Sequence, residues 1–153
     1  FSDARGTRVG AVLEDGGIVD LVAAGIAAAA DMTGLIEAGP AALAAVQGAA
    51  ARPPAGAVLA KGAATLLAPI PRPRRNVFCV GRNYMDHVAE GDRTRGITQS
   101  ELPKFPQFFT KVPEAVIAPD APIPAHIGVT EWLDYEVELV AVIGREGADI
   151  PRE

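Results

Sequence analysis

Two short stretches hold residues whose types and spacing could do chemistry. In the first, Gly81-Arg82-Asn83-Tyr84-Met85-Asp86-His87-Val88-Ala89-Glu90, His87 and Glu90 stand three apart and share a face on any helical continuation. A carboxylate so placed can accept from one ring nitrogen and leave the other as a base able to activate a water. An ordinary surface helix with an i,i+3 polar pair has the same spacing, so spacing alone leaves both readings open. In the second stretch, Leu133 to Gly144, strand alternation points Asp134, Glu136 and Glu138 to one face and Tyr135, Val137 and Leu139 to the other. Adjacent members of that acidic row have Cα atoms roughly 6 to 7 Å apart, close enough to repel unless a cation or water lies over them. Oxygen donors with no histidine or cysteine nearby favour a hard ion, Mg²⁺ or else Mn²⁺ or Ca²⁺, over zinc. A solvated acidic strand fits the pattern equally well. Lys111, which closes the run Phe108-Phe109-Thr110-Lys111, is either a solvated tip or a cation offered to an anionic ligand.

The elements that must position these groups follow from local pattern. Asn76 to Val80 is an apolar run of strand length that Gly81 ends, and a helix carrying His87 and Glu90 comes next. Gly91 to Pro106 is polar and rich in turn formers, which predicts a long loop, either a lid or disordered. Phe108 to Lys111 is read as the end of a strand. Pro119, Pro122 and Pro124 mark irregular chain, and Leu133 to Gly144 is read as a strand whose apolar end, Val140 to Ile143, enters the core. Before all of these, Val9 to Leu13 and Ile18 to Val22 flank Glu14-Asp15-Gly16-Gly17, a hairpin turn signal. Asp31 is a suitable N-cap for a short helix through Glu37, and Pro40 suits the first turn of an alanine-rich helix ending near Arg52-Pro53-Pro54. The alternate prolines of Pro69-Ile70-Pro71-Arg72-Pro73 favour an extended linker. They place a domain boundary near residue 73, giving a small α+β domain over 1–73 and a β-rich segment over 74–153.

Composition bounds the function. The chain has 153 residues, 49% of them hydrophobic, 22% charged, with a net charge of -5, which describes a folded chain and not a disordered one. Residues 1–75 carry seven basic and six acidic side chains, and residues 76–153 carry seven and thirteen, so the acid lies in the second part. No polybasic patch invites nucleic acid or an anionic membrane surface. The longest apolar run, Leu21 to Ala30, is about half the ~20 residues a membrane-spanning helix needs. The single cysteine, Cys79, rules out an internal disulfide and reads as a buried thiol in a reducing cytoplasm. Phe1 stands where a methionine would open a translation product, which predicts a portion of a longer polypeptide.

The order strand, GRNYMDHVAE, FFTK, a proline-rich crossing and LDYEVELVAVIG resembles the fumarylacetoacetate hydrolase family from about residue 74 onward. The resemblance implies a mixed β-sheet roll preceded by a smaller N-terminal domain, and a homodimer. It implies a Mg²⁺- or Mn²⁺-dependent enzyme that hydrolyses a C–C bond in a small 2-oxo or 1,3-dicarbonyl acid, of the acylpyruvate or fumarylacetoacetate kind. The alternatives it carries are an isomerase of a hydroxymuconate-like diacid, a decarboxylase of an oxaloacetate-like one, or a non-catalytic truncated relative. Carried over by position, Glu136 and Glu138 become metal ligands and His87 with Glu90 the dyad that prepares a water. Arg82 and Lys111 become groups that hold the carboxylate or oxo oxygens of the substrate, with Tyr84 lining the pocket. The family's third carboxylate belongs to a motif of the NDVSARD type further along, so the rest of the catalytic domain is expected beyond Glu153.

Overall fold

Between Leu13 and Gly17 the chain must reverse within a few residues. Gly16 does this at a φ of 82°, a left-handed conformation that favours glycine. The turn is closed by Leu13 N–H donating to the Gly17 carbonyl at 2.8 Å and by Gly17 N–H donating to Asp15 Oδ1 at 2.8 Å. The structure, a computed structural model, describes residues 1–152. It is mixed α+β, with small antiparallel sheets and three α-helices. The chain forms two units, one built from 1–70 with the stretch from Ala118 onward, the other from Pro71–Ile117.

In the first unit β1 (Ser2–Asp3) and β2 (Gly6–Thr7) form a tight ribbon. The Gly16 turn joins β3 (Gly10–Val12) to β4 (Ile18–Asp20), and β5 (Val58–Leu59) pairs on the other side of β4. Flanked on both edges, β4 is buried along its whole length, and Val19 has no exposed surface. The core gathers Val9, Val19, Leu21, Ala29 and Ala57, with Ile26, Met32, Leu35 and Val46 packed against it. These last four come from a 3-10 turn and two helices. Helix α1 (Met32–Glu37) is capped by Asp31, whose Oδ1 accepts from Gly34 N–H at 2.8 Å. Helix α2 (Gly39–Ala51) has Pro40 in its first turn, where the missing N–H costs nothing, and stops at Arg52 before two prolines.

Asp20 is buried in β4 and its charge is matched. Oδ2 accepts from Arg8 Nε at 2.9 Å and pairs with Arg5 Nη2 at 3.3 Å, while Oδ1 accepts from Ala23 N–H at 3.0 Å. Arg8 also donates through Nη2 to Asp3 at 2.7 Å. That bond from Arg8 is the main reason the Asp3 carboxyl is held well below the usual carboxylate range, with Arg5 adding to it against the cost of desolvation. The same bond to Asp3, ahead of Asp20, raises the Arg8 guanidinium above its ordinary value.

From Ala118 onward the chain contains no regular helix or strand among the described residues. The strand expected over Leu133 to Gly144 is therefore not formed, and Val140 to Ile143 do not enter the core. Val137 is 90% exposed and Ile143 80%, and Glu136 and Glu138 are exposed as well. Alternation decides which face a side chain takes once a ladder exists. It cannot supply the ladder, which needs a neighbouring strand to take the backbone N–H and C=O groups.

In the second unit β6 (Val77–Gly81) and β7 (Gln107–Lys111) pair antiparallel, from Val77 opposite Lys111 to Gly81 opposite Gln107. Between them lies α3 (Met85–Thr94), with Asp86 in its first turn and Arg93 in its last, both favourable to the helix dipole. The long loop expected from Gly91 thus begins four residues later. Gly91 in a helix costs only about 1 kcal/mol against alanine, and the buried Asp92 carries the inward face past it. Gly96, at φ 76°, ends the helix with its N–H donating to the Arg93 carbonyl. Cys79 is half-buried, not buried as expected, because the two-stranded ribbon covers its strand incompletely.

Candidate active site

Arg82 follows directly on β6 and takes a φ of 55°. A non-glycine residue there costs roughly 1–2 kcal/mol, since Cβ crowds the carbonyl oxygen. The strain is held by an ion pair. Arg82 Nη2 lies 3.3 Å from Asp92 Oδ1 and 3.4 Å from Oδ2. The Asp92 side chain is 4% exposed and that of Arg82 37%, so the pair runs from the interior of the unit to its surface. Arg95 Nη1 stands 3.9 Å from Asp92 Oδ1, beyond hydrogen-bond reach. Arg82 Nε is buried and donates to no acceptor.

The helix that follows is two-faced. Val88 and Asp92, one turn apart, are its buried residues. His87 and Glu90 lie on the opposite, exposed side, three apart and therefore on one face. Tyr84, extended at φ -112°, leads into the helix and is exposed. The structure thus brings His87 and Glu90 together on the exposed side of one helix with Tyr84 exposed at its start, whereas the Arg82 side chain turns to Asp92 on the buried side.

Lys111 stands elsewhere on the ribbon. Four residue steps of about 3.3 Å put its end of the β6–β7 pair roughly 13 Å from the end that carries Arg82. Its Nζ lies 6.0 Å from the centre of the Phe109 ring.

Glu136 and Glu138 sit on the exposed stretch that forms no ladder. As carboxylate oxygen donors they are of the type that suits a hard divalent cation. In number they fall short. No group of three or more His, Cys, Asp or Glu side chains able to hold a metal occurs among the described residues. The pair could supply at most two members of such a set.

Sequence reasoning missed Asp92. A signal was present, because Val88 and Asp92 share a helical face, and an acidic residue on an apolar stripe needs a cationic partner. Arg82, before the helix, supplies that partner. No described helix is long and apolar enough to cross a membrane.

The sequence profile of the family described as fumarylacetoacetate (FAA) hydrolase C-terminal matches residues 76–153, the stretch that holds every candidate site residue. Oxaloacetate tautomerase YisK of Bacillus subtilis is 41% identical over 88 residues, which are 58% of this chain and 28% of that protein. An uncharacterized protein of Staphylococcus epidermidis is 40% identical over 84 residues, 55% of this chain and 25% of its own. One of Staphylococcus aureus is 39% identical over 84 residues, with the same two shares of 55% and 25%. The chain therefore spans 25–28% of the length of the curated relatives it matches.

Proposed function

Since the chain belongs to the fumarylacetoacetate hydrolase family, we propose that the complete protein enolises a small 2-oxo acid and acts as a keto–enol tautomerase of an oxaloacetate-like diacid. The observation that carries this reading is the exposed His87–Glu90 face of α3, launched from the Arg82 turn inside the stretch the family profile covers. That the Bacillus subtilis relative is named an oxaloacetate tautomerase supports the choice of tautomerisation.

In this reading Glu90 accepts from one ring nitrogen of His87, and the other takes a proton from the carbon beside the keto group. The electron pair left behind forms the carbon–carbon double bond, and the keto oxygen takes the charge and then a proton to give the enol. Arg82 holds the adjacent carboxylate, and Tyr84 lines the same side. A dianion has a second carboxylate to place, and in this reading Lys111 takes it. Mg²⁺ or Mn²⁺ held in part by Glu136 and Glu138 would act as a Lewis acid toward the keto oxygen.

A second reading, C–C hydrolysis, is favoured by the family's own description. There His87 takes its proton from a water, the hydroxide adds to the distal carbonyl, and the carbon–carbon bond breaks to an enolate that is protonated on release. With the complete protein, an unchanged substrate mass with altered enol absorbance supports tautomerisation. Two fragments from an acylpyruvate support hydrolysis, carbon dioxide supports decarboxylation, and no reaction with either substrate supports a non-catalytic relative. We further assign 1–73 as a small N-terminal domain, 74 onward as the first part of a mixed-sheet roll, and the assembly as a cytoplasmic homodimer.

A further inference from the structure

We infer that Asp92 is the positioning residue for Arg82, holding the guanidinium ready for the substrate carboxylate; this rests on the reading of Arg82 given above. Three observations converge on the pair. Asp92 is almost wholly buried, yet it faces the only arginine that reaches it within hydrogen-bond distance among the described residues. Arg82 is held in a left-handed conformation that its side chain does not favour, and the bond to Asp92 fixes the direction in which that side chain leaves the backbone. Finally, Asp92 engages one nitrogen, Nη2, with both carboxylate oxygens, and does not form the two-nitrogen fork an arginine offers a carboxylate. The guanidinium cannot lose its proton, so the donors that Asp92 leaves unused keep their need for an acceptor. The side chain as a whole is 37% exposed while Nε is buried, so an arriving anion would be met at the terminal nitrogens.

A structural tie alone would be served as well by an apolar pair, because buried ion pairs replaced by packed hydrophobic residues are often neutral or better in stability. What an apolar pair cannot do is orient a cation. Fixing a long side chain before binding saves the ordering cost at the moment of binding, which corresponds to roughly 2- to 12-fold in affinity for one side chain.

The test is a double-mutant cycle in the complete protein, with oxaloacetate as the turnover probe and oxalate as the binding probe. Asp92→Asn keeps the shape of the side chain and should raise KM for oxaloacetate by roughly 2- to 12-fold, with kcat changed far less. Arg82→Gln should raise KM more, and adding Asp92→Asn to it should change KM no further. Asp92→Glu should restore part of the loss. The same pattern should appear in oxalate affinity by calorimetry. Equal KM increases from Asp92→Asn with and without Arg82 would overturn the inference, as would an unchanged KM in a variant that melts like its parent. If the parent leaves oxaloacetate untouched, the proposed activity fails, and oxalate binding decides this inference by itself. Weakening by Asp92→Asn only when Arg82 is present supports it, and absence of oxalate binding by the parent overturns it.

Discussion

Replacing Arg82 by glycine sets two effects against each other, and their sizes decide the sign. Glycine accepts a φ of 55° without a steric cost, so the exchange recovers roughly 1–2 kcal/mol of strain. Part of that gain is lost, because glycine frees the unfolded chain by about 0.5–1 kcal/mol. The larger effect falls on Asp92. Its side chain is 4% exposed, and without Arg82 its nearest remaining cation is Arg95 Nη1 at 3.9 Å. Leaving one member of a fully buried ion pair alone costs about 3–5 kcal/mol. Arg82 is 37% exposed, so solvent screening brings the figure to about 2–3 kcal/mol. The net expectation is a loss of about 0.5–3 kcal/mol from these terms together. Adding Asp92→Asn should return part of it, because a neutral amide leaves no uncompensated charge. Urea unfolding of parent, Arg82→Gly and the double variant at constant m-value measures this directly. An Arg82→Gly variant as stable as the parent, or a double variant less stable than Arg82→Gly, would refute the reasoning.

Three further outcomes follow from the same coordinates. Val19 has no exposed surface in the central strand, so Val19→Ala should cost about 2–3 kcal/mol of unfolding free energy in urea, a lost side-chain volume plus a cavity. The Asp3 carboxyl is held below its ordinary value of 3.8, chiefly by the Arg8 bond. Its stabilising contribution is therefore complete above that value and lost as pH falls through the folded one. The urea midpoint of the parent should drop as pH falls below 3.8, and that of Arg8→Gln should drop less steeply. Glu136→Gln should weaken Mg²⁺ binding to the complete protein, and an unchanged calorimetric titration would remove Glu136 from the ligand set.

Local signals were legible where the physics is local. The Asp15-Gly16-Gly17 turn, the Asp31 cap and Pro40 in the first turn of α2 each act within a few residues, and each stands where the sequence indicated. The strands flanking the turn were found for the same reason, although β5, which makes β4 the middle strand, lies some forty positions away and carries no signal of its own. The expected strand over 133–144 had the right alternation but forms no ladder among the described residues, and a ladder is a property of two segments. The end of α3 was misread because Gly91 and the polar residues after it look like loop, whereas Asp92 is held on the inward face by Arg82. In the site, the i,i+3 spacing of His87 and Glu90 was enough to predict one shared face, since helix geometry alone fixes it. The distance of Lys111 from Arg82 was not, because register depends on which residues of β6 and β7 meet.

The central claim is that His87 removes a proton from the carbon beside the keto group. Proton NMR of oxaloacetate in D₂O follows that step, through enzyme-catalysed loss of the methylene signal above the spontaneous rate. With the complete protein the signal should be lost quickly, and His87→Ala should slow the enzyme-catalysed part by roughly 10²- to 10⁴-fold while the variant keeps its fold. Exchange as fast in His87→Ala as in the parent would contradict the account.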